Sequence, residues 1–384
     1  MRAYFGACGI GFGHVGRCIS IADRLKESGF DMLFSTYGEA VAFVRREGYP
    51  AVEAPRLSIT TEADGRIDMK HVLGVEGLLS VERFLNQVGF EIKTMRSFKP
   101  DVVVSDTRLS TVVASNMLGI PTVLMLNQFH PLIPRERRFL RLSKVGDGAV
   151  LTVISDVWGL ADRIIIPDFP EPNTVSLMNM RIPQRHRGKV LFVGPILRRN
   201  PWDVQAPRDS GSEVKVFAPI SGPSAERLPL VRLLLKLFKK FPGKFRIIMS
   251  MGCPDGNGVY VKHGNFTAYR WVEDRLGLMK WCDVVVSRAG HGTIMEAVSC
   301  GKPMVLIPTP GHSEQYGNAR RAVEIGFAEA VEQYDLTAER LVEKVETVMN
   351  DESYRRKAEE LQAEARRLGG GERVVQEIMR SLGD

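Results

Sequence analysis

At 384 residues the chain is too long for one comfortable hydrophobic core and suits two α/β domains. Hydrophobic residues at 44% and charged residues at 25% exclude a disordered or fibrous protein, and the sequence holds no run of about 18 apolar residues that could span a membrane. The net charge of +7 favours acidic partners, whether nucleotide diphosphates, anionic lipid surfaces or nucleic acid, without choosing among them, while five cysteines without CxxC spacing argue against a disulfide framework or a zinc site.

Short β-branched runs alternate with helical patterns along the whole chain, which predicts βαβ units and parallel sheets. Strands are expected near 2–8, 31–35, 101–105, 121–126 and 163–166, and a second set near 214–219, 245–249, 283–287 and 303–307. Helices are expected near 225–240, 291–300 and 314–325. Between the two sets, residues 193–213 pass from apolar to a Pro, Arg, Asp, Gly and Ser composition typical of a linker. The expected division is therefore 1–196 and 197–384. Helical spacing of Tyr354, Ala358, Leu361, Ala365 and Leu368 predicts a helical tail whose last helix packs back on the first domain. The N-terminus lacks a secretory signal, so a cytoplasmic protein is expected.

Two doubly wound domains would open the carboxyl ends of their strands onto a shared cleft, so the chemistry is sought in strand-to-helix loops. The first such loop, GIGFGHVGR at 9–17, lacks the last glycine of a GxGxxG fingerprint because position 14 is His. His14 stands at a helix start, where the positive helix end favours the neutral imidazole that a base requires. Asp106 closes the buried-type strand DVVVSD and would lie at the same sheet edge, where it could hold the imidazole by Nδ1 or simply cap the next helix. In the second loop, SRAGHGTIMEAV, Gly290 and Gly292 free the backbone to approach a ligand. The amides of His291 to Ile294 open a helix suited to a diphosphate. Glu296, one turn further, could accept both ribose hydroxyls, while Gln315 and Asn318 open another helix on the same side.

The string SRAGHGTIMEAVSCGKPMVLIPTPGHSEQYGNA resembles the donor-binding segment of GT-B glycosyltransferases, above all the peptidoglycan N-acetylglucosaminyltransferase MurG, the galactolipid synthases and the UDP-glucuronosyltransferases. The GxGxGH loop followed by Arg resembles archaeal and bacterial relatives of these enzymes. The resemblance implies an α/β GT-B fold, two Rossmann-like domains facing a cleft, and an inverting transfer from a UDP-sugar to a hydroxyl acceptor. It implies Glu296 as ribose ligand, Thr293 with neighbouring amides as diphosphate ligands, and Gln315 as a contact to the donor sugar. Arg288 and the linker Arg198 would reach the phosphates, and the backbone of Trp271 and Val272 would read the uracil edge. Ser221, Gly222 and Ser224 stand in a loop that departs from the family's GGSQGA pattern, and Gly11 and Gly13 belong to the first loop facing the donor. His14 and Asp106 match the family's catalytic His and its Asp partner. No DxD triplet occurs, so no metal and no cofactor is expected beyond the UDP-sugar co-substrate.

The segment at 129–148 interleaves Arg135, Arg137, Arg138, Arg141 and Lys144 with Phe139, Leu140 and Leu142, a pattern that suits either an anionic membrane face or a solvated helix. With the membrane-linked relatives it points to a lipid or lipid-linked acceptor and to peripheral attachment at the inner membrane face; nucleic acid is not an expected partner. A UDP-sugar 2-epimerase and a nonenzymatic nucleotide-sugar-binding subunit stand as alternatives.

Overall fold

The computed structural model describes residues 1–9, 12–56, 75–129, 154–180, 182–207, 211–253, 256 and 258–383. The first half forms a seven-stranded sheet from β1 (Arg2–Ala7), β2 (Asp31–Thr36), β3 (Ala51–Glu53), β4 (Val102–Asp106), β5 (Thr122–Met125), β6 (Arg163–Ile166) and β7 (Val190–Phe192). Their order is β3-β2-β1-β4-β5-β6-β7, and every ladder is parallel. Helices α1 (Gly13–Glu27), α2 (Glu39–Arg46), α3 (Val75–Phe98) and α4 (Leu109–Leu118) cover it. Covering on both faces explains why Val102, Val103 and Val104 are fully buried in an unbroken apolar run rather than an alternating one.

The second half repeats the plan with β8 (Val214–Pro219), β9 (Phe245–Ser250), β10 (Val259–His263), β11 (Phe266–Tyr269), β12 (Val284–Ser287), β13 (Met304–Leu306) and β14 (Ala328–Ala330). Its order is β10-β11-β9-β8-β12-β13-β14, parallel except for the β10/β11 hairpin at one edge. Helices α5 (Ser224–Leu237), α6 (Arg275–Trp281), α7 (His291–Ser299), α8 (Ser313–Ile325), α9 (Ala338–Asn350), α10 (Glu352–Leu368) and α11 (Gly370–Gly383) follow.

The strand order reverses between β1 and β4 in the first sheet and between β8 and β12 in the second. Crevices at such switch points are where open α/β sheets bind ligands. Asp106 closes β4, Ser221 lies in the loop after β8, and His14 and Thr293 stand in the first turns of the helices that follow β1 and β12.

The two sheets are joined by more than the linker. Val374 and Ile378 of α11 enter the core cluster of β1, with Ala3 and Phe5, so the last helix returns to the first sheet. In the other direction, Phe169 and Val175, after β6, enter the cluster of α7 with Ile294 and Ala297.

Candidate active site

Parallel pairing of β1 with β4 sets Ala7 opposite Asp106. The loop that follows β1 then brings α1 across the end of β4, and a side chain at Gly9 would run into the Tyr37 carbonyl, with an added Cβ only 2.2 Å from that oxygen. His14 Nδ1 lies 2.7 Å from Asp106 Oδ1. One turn on, Arg17 donates from Nε to Asp106 Oδ2 at 2.9 Å and from Nη2 to Oδ1 at 2.8 Å. Thr107 Oγ1 donates to Oδ1 as well, at 3.1 Å. A carboxylate can only accept, so Nδ1 carries a proton; in the neutral imidazole Nε2 then keeps its lone pair. The 3.0 Å approach of Arg17 Nη2 to His14 Nδ1 is then two donors converging on one oxygen.

Asp106 is fully buried. Burial opposes its charge, yet Arg17 and His14, by charge and hydrogen bond, hold its carboxyl well below the usual carboxylate range. The His14 side chain remains 22% exposed. The N-terminus of α1 has no side-chain cap, and a Cβ at Gly13 would point into open space. Gly11 lies outside the described residues, as does the basic segment of Arg135 to Lys144.

In the second sheet, the end of β12 turns through Gly290 into α7, whose N-terminus also lacks a side-chain cap. Added Cβ atoms at Gly290 and Gly292 would meet nothing within 4 Å, which leaves the approach to the helix amides open. Thr293 Oγ1 lies 3.4 Å from Ser221 Oγ across the switch point, and Gly222 beside it takes φ +113°, a conformation that favours glycine. Trp271 and Val272 are half-buried between β11 and α6 and belong to none of the core clusters, so they remain available to a ligand.

Glu296 is engaged by a residue that the sequence did not single out. Arg275, the first residue of α6, donates from Nε to Glu296 Oε2 at 2.6 Å and from Nη2 to Thr293 Oγ1 at 2.9 Å. The start of a short helix reads as a solvated face, and no spacing ties position 275 to 296.

Three expected donor contacts, those of Arg198, Arg288 and Gln315, stand elsewhere, while His291, expected through its amide, opens α7. Arg198 turns to the first sheet and pairs with Asp23 and Glu47, because the linker leaves β7 on that side. Arg288 is buried and spends its guanidinium on the carbonyls of Ile307, Pro308 and Glu226, at 3.2, 3.3 and 2.8 Å. Burial pulls its pKa down to about 10, against the pull of Glu226. The His291 side chain turns under α7 instead of toward the open helix end, and its Nε2 lies 3.2 Å from Asp168 Oδ2 of the first half. Asp168 also accepts from the backbone of Phe169, Val175 and Ser176 and from Ser176 Oγ. Burial opposes its charge, but His291 and Ser176 hold its carboxyl below the usual range. Gln315 Oε1 accepts from the Thr309 amide at 2.9 Å, and Asn318 Nδ2 donates to the Ala289 carbonyl at 3.1 Å, so both pin loops.

The halves also meet at the cleft, where Asn127 Nδ2, just past β5, donates to Glu314 Oε1 at the start of α8 at 3.1 Å.

The chain is similar to known proteins in sequence and in fold. Residues 220–369 match the model of the glycosyltransferase family 28 C-terminal domain. An uncharacterized glycosyltransferase of Methanosarcina acetivorans is 30% identical over all of this chain and 99% of its own. The chain belongs to the MurG-related GT-B glycosyltransferases. The UDP-N-acetylglucosamine--N-acetylmuramyl-(pentapeptide) pyrophosphoryl-undecaprenol N-acetylglucosamine transferase of Leuconostoc citreum is 24% identical over all of this chain and 99% of its own. Among solved structures, the spinosyn rhamnosyltransferase SpnG complexed with thymidine diphosphate superposes with a TM-score of 0.69 at 17% identity, covering 99% of this chain and 100% of that one. At that identity the likeness speaks for the GT-B fold alone. These matches do not favour the epimerase or the nonenzymatic subunit.

Proposed function

We propose that this glycosyltransferase moves a hexosyl group from a UDP-sugar to the hydroxyl of a lipid or lipid-linked acceptor, with inversion at the anomeric carbon. The observation that carries the reading is the His14 and Asp106 pair, 2.7 Å apart at the first switch point, which engages the imidazole through Nδ1 and leaves Nε2 as the basic nitrogen of the neutral ring. An acceptor hydroxyl at Nε2 gives up its proton as its oxygen attacks the anomeric carbon. The bond from that carbon to the phosphate oxygen breaks, its electron pair leaves with the diphosphate, and the imidazolium is stabilised by Asp106. Direct displacement by one nucleophile inverts the centre.

The donor would lie along the second switch point, its diphosphate at the open amides of α7 and Thr293, its ribose at Glu296, its base beside Trp271 and Val272. Support for UDP comes from the Leuconostoc citreum relative, whose name gives a UDP-sugar donor and a pyrophosphoryl-undecaprenol acceptor. No helix among the described residues is long and apolar enough to cross a membrane, so contact with a lipid acceptor falls to a surface, and the Arg135 to Lys144 segment is the proposed one. No metal is assigned a part, because helix amides and basic side chains can hold the leaving group.

A panel of UDP- and TDP-sugars assayed with a total lipid extract tests the reading. Acceptor-dependent release of UDP, with a labelled sugar in the lipid phase, is expected. Release of UDP at the same rate without acceptor, or use of TDP-sugars alone, would contradict it.

A further inference from the structure

A nucleoside-diphosphate sugar brings about two negative charges to this site, and the end of one helix supplies only about half a unit of positive charge. The departing diphosphate gains further charge as the bond to the sugar breaks, so a side-chain cation is needed close to α7. The basic side chains nearby are mostly committed. Arg198 pairs with Asp23 and Glu47, Arg288 is buried against three carbonyls, and Arg227 is buried with bonds to the Gly222 carbonyl and Ser224 Oγ. Arg199 faces Asp274 at 3.7 Å on the surface.

Arg275 differs from all of these. It bonds at once to Glu296 and Thr293, the two side chains assigned to ribose and diphosphate. Its side chain is 27% exposed, open to a ligand, and among the described residues nothing bonds its Nη1. It meets Glu296 through Oε2 only, which leaves Oε1 for a ribose hydroxyl. Resting on the donor-site reading above, we infer that Arg275 is the cation of the diphosphate site: Nη1 binds the leaving phosphate while Nε holds the Glu296 carboxylate in place for the ribose. The residue thus couples recognition of the nucleoside to stabilisation of the leaving group.

Calorimetric titration of UDP, TDP and uridine into the full-length parent, Arg275→Met, Arg275→Lys and Glu296→Ala separates the possibilities, with melting curves to establish folding. Arg275→Met should weaken UDP about 10- to 100-fold, the scale of a lost charge-assisted bond, and uridine by at most about threefold, because the nucleoside loses the Nε support of Glu296 but no direct contact. Arg275→Lys should recover part of the UDP affinity because a point charge remains. Equal weakening of UDP and uridine would reduce Arg275 to a support for Glu296, and tighter UDP binding would make it a plug that the donor must displace; either overturns the inference. Glu296→Ala should weaken both UDP and uridine, and unchanged uridine affinity there would defeat the ribose assignment by itself, whatever Arg275 does. A parent that binds neither UDP nor TDP would overturn both readings.

Discussion

Replacing Asp106 by Asn should cost more stability than its position beside an active-site histidine suggests. The carboxylate is fully buried and receives two bonds from Arg17, whose side chain is only 10% exposed. An amide keeps the shape but removes the charge, and its NH2 faces either Arg17 Nε in place of Oδ2 or the three donors His14 Nδ1, Arg17 Nη2 and Thr107 Oγ1 in place of Oδ1. Stranding a buried guanidinium in this way costs about 3–5 kcal/mol. For a cooperative unit of about 150–250 residues, each kcal/mol moves the melting temperature by about 2–4 °C, so a drop of about 6–20 °C is expected in the transition of the first sheet. Adding Arg17→Met to Asp106→Asn should restore part of the loss, because the stranded charge goes with it, whereas independent sites would simply add. The pH dependence follows from the depressed carboxyl of Asp106. A group whose folded pKa lies below its unfolded value contributes stability above the unfolded value, about 3.9, and loses it as pH falls through the folded one. The gap between parent and Asp106→Asn should therefore be full at neutral pH and close only below about pH 4. Calorimetric scans at pH 7 and at pH 3 make the measurement. An Asp106→Asn protein melting within about 2 °C of the parent at pH 7 would refute the burial argument, since 3 kcal/mol cannot hide in so small a shift.

Glu296→Ala should weaken UDP binding by about 1.5–3 kcal/mol with the fold intact, measured by calorimetry, and unchanged affinity would remove Glu296 from the ribose site. Exchanging Arg137, Arg138 and Arg141 for Glu should abolish cosedimentation with anionic vesicles and leave UDP binding alone; equal sedimentation would return the segment to a solvated face. Transfer should proceed at the same rate after exhaustive chelation, and a rate restored only by added divalent metal would show that the leaving group has a metal partner.

The strand ends were readable because a parallel strand buried on both faces must be an apolar run, and the first polar residue after it marks the carboxyl edge. Ser105, with Asp106 next to it, and Ser287 stand at that mark, and the placing of His14 beside Asp106 depended on β1 and β4 being neighbours, which their parallel pairing makes them. The short edge strands β3, β7 and β14 and the β10/β11 hairpin were not anticipated, since three to five residues with mixed exposure carry little periodicity. The long side chains were the least readable. A motif fixes where Arg198, Arg288 and His291 leave the backbone, but several rotatable bonds let each find a carboxylate or a carbonyl away from the cleft. Arg275 shows the converse, reaching across from α6 to Glu296 with no signal in its own neighbourhood. The helical tail was legible, but the spacing of Tyr354 to Leu368 falls on α10, whose Ala358, Leu361 and Ala365 pack in the core of the second half, whereas Val374 and Ile378 of α11 make the return to the first sheet.

The account rests most heavily on His14 as the base, and the turnover of His14→Ala tests it most directly. The variant keeps Asp106 paired with Arg17, so its melting curve should stay close to that of the parent. At saturating UDP-sugar and acceptor, its turnover number should fall by roughly 10²–10⁴ while donor affinity changes little. A His14→Ala enzyme that folds like the parent, binds UDP like the parent and keeps full turnover would contradict the account and hand the proton to another group.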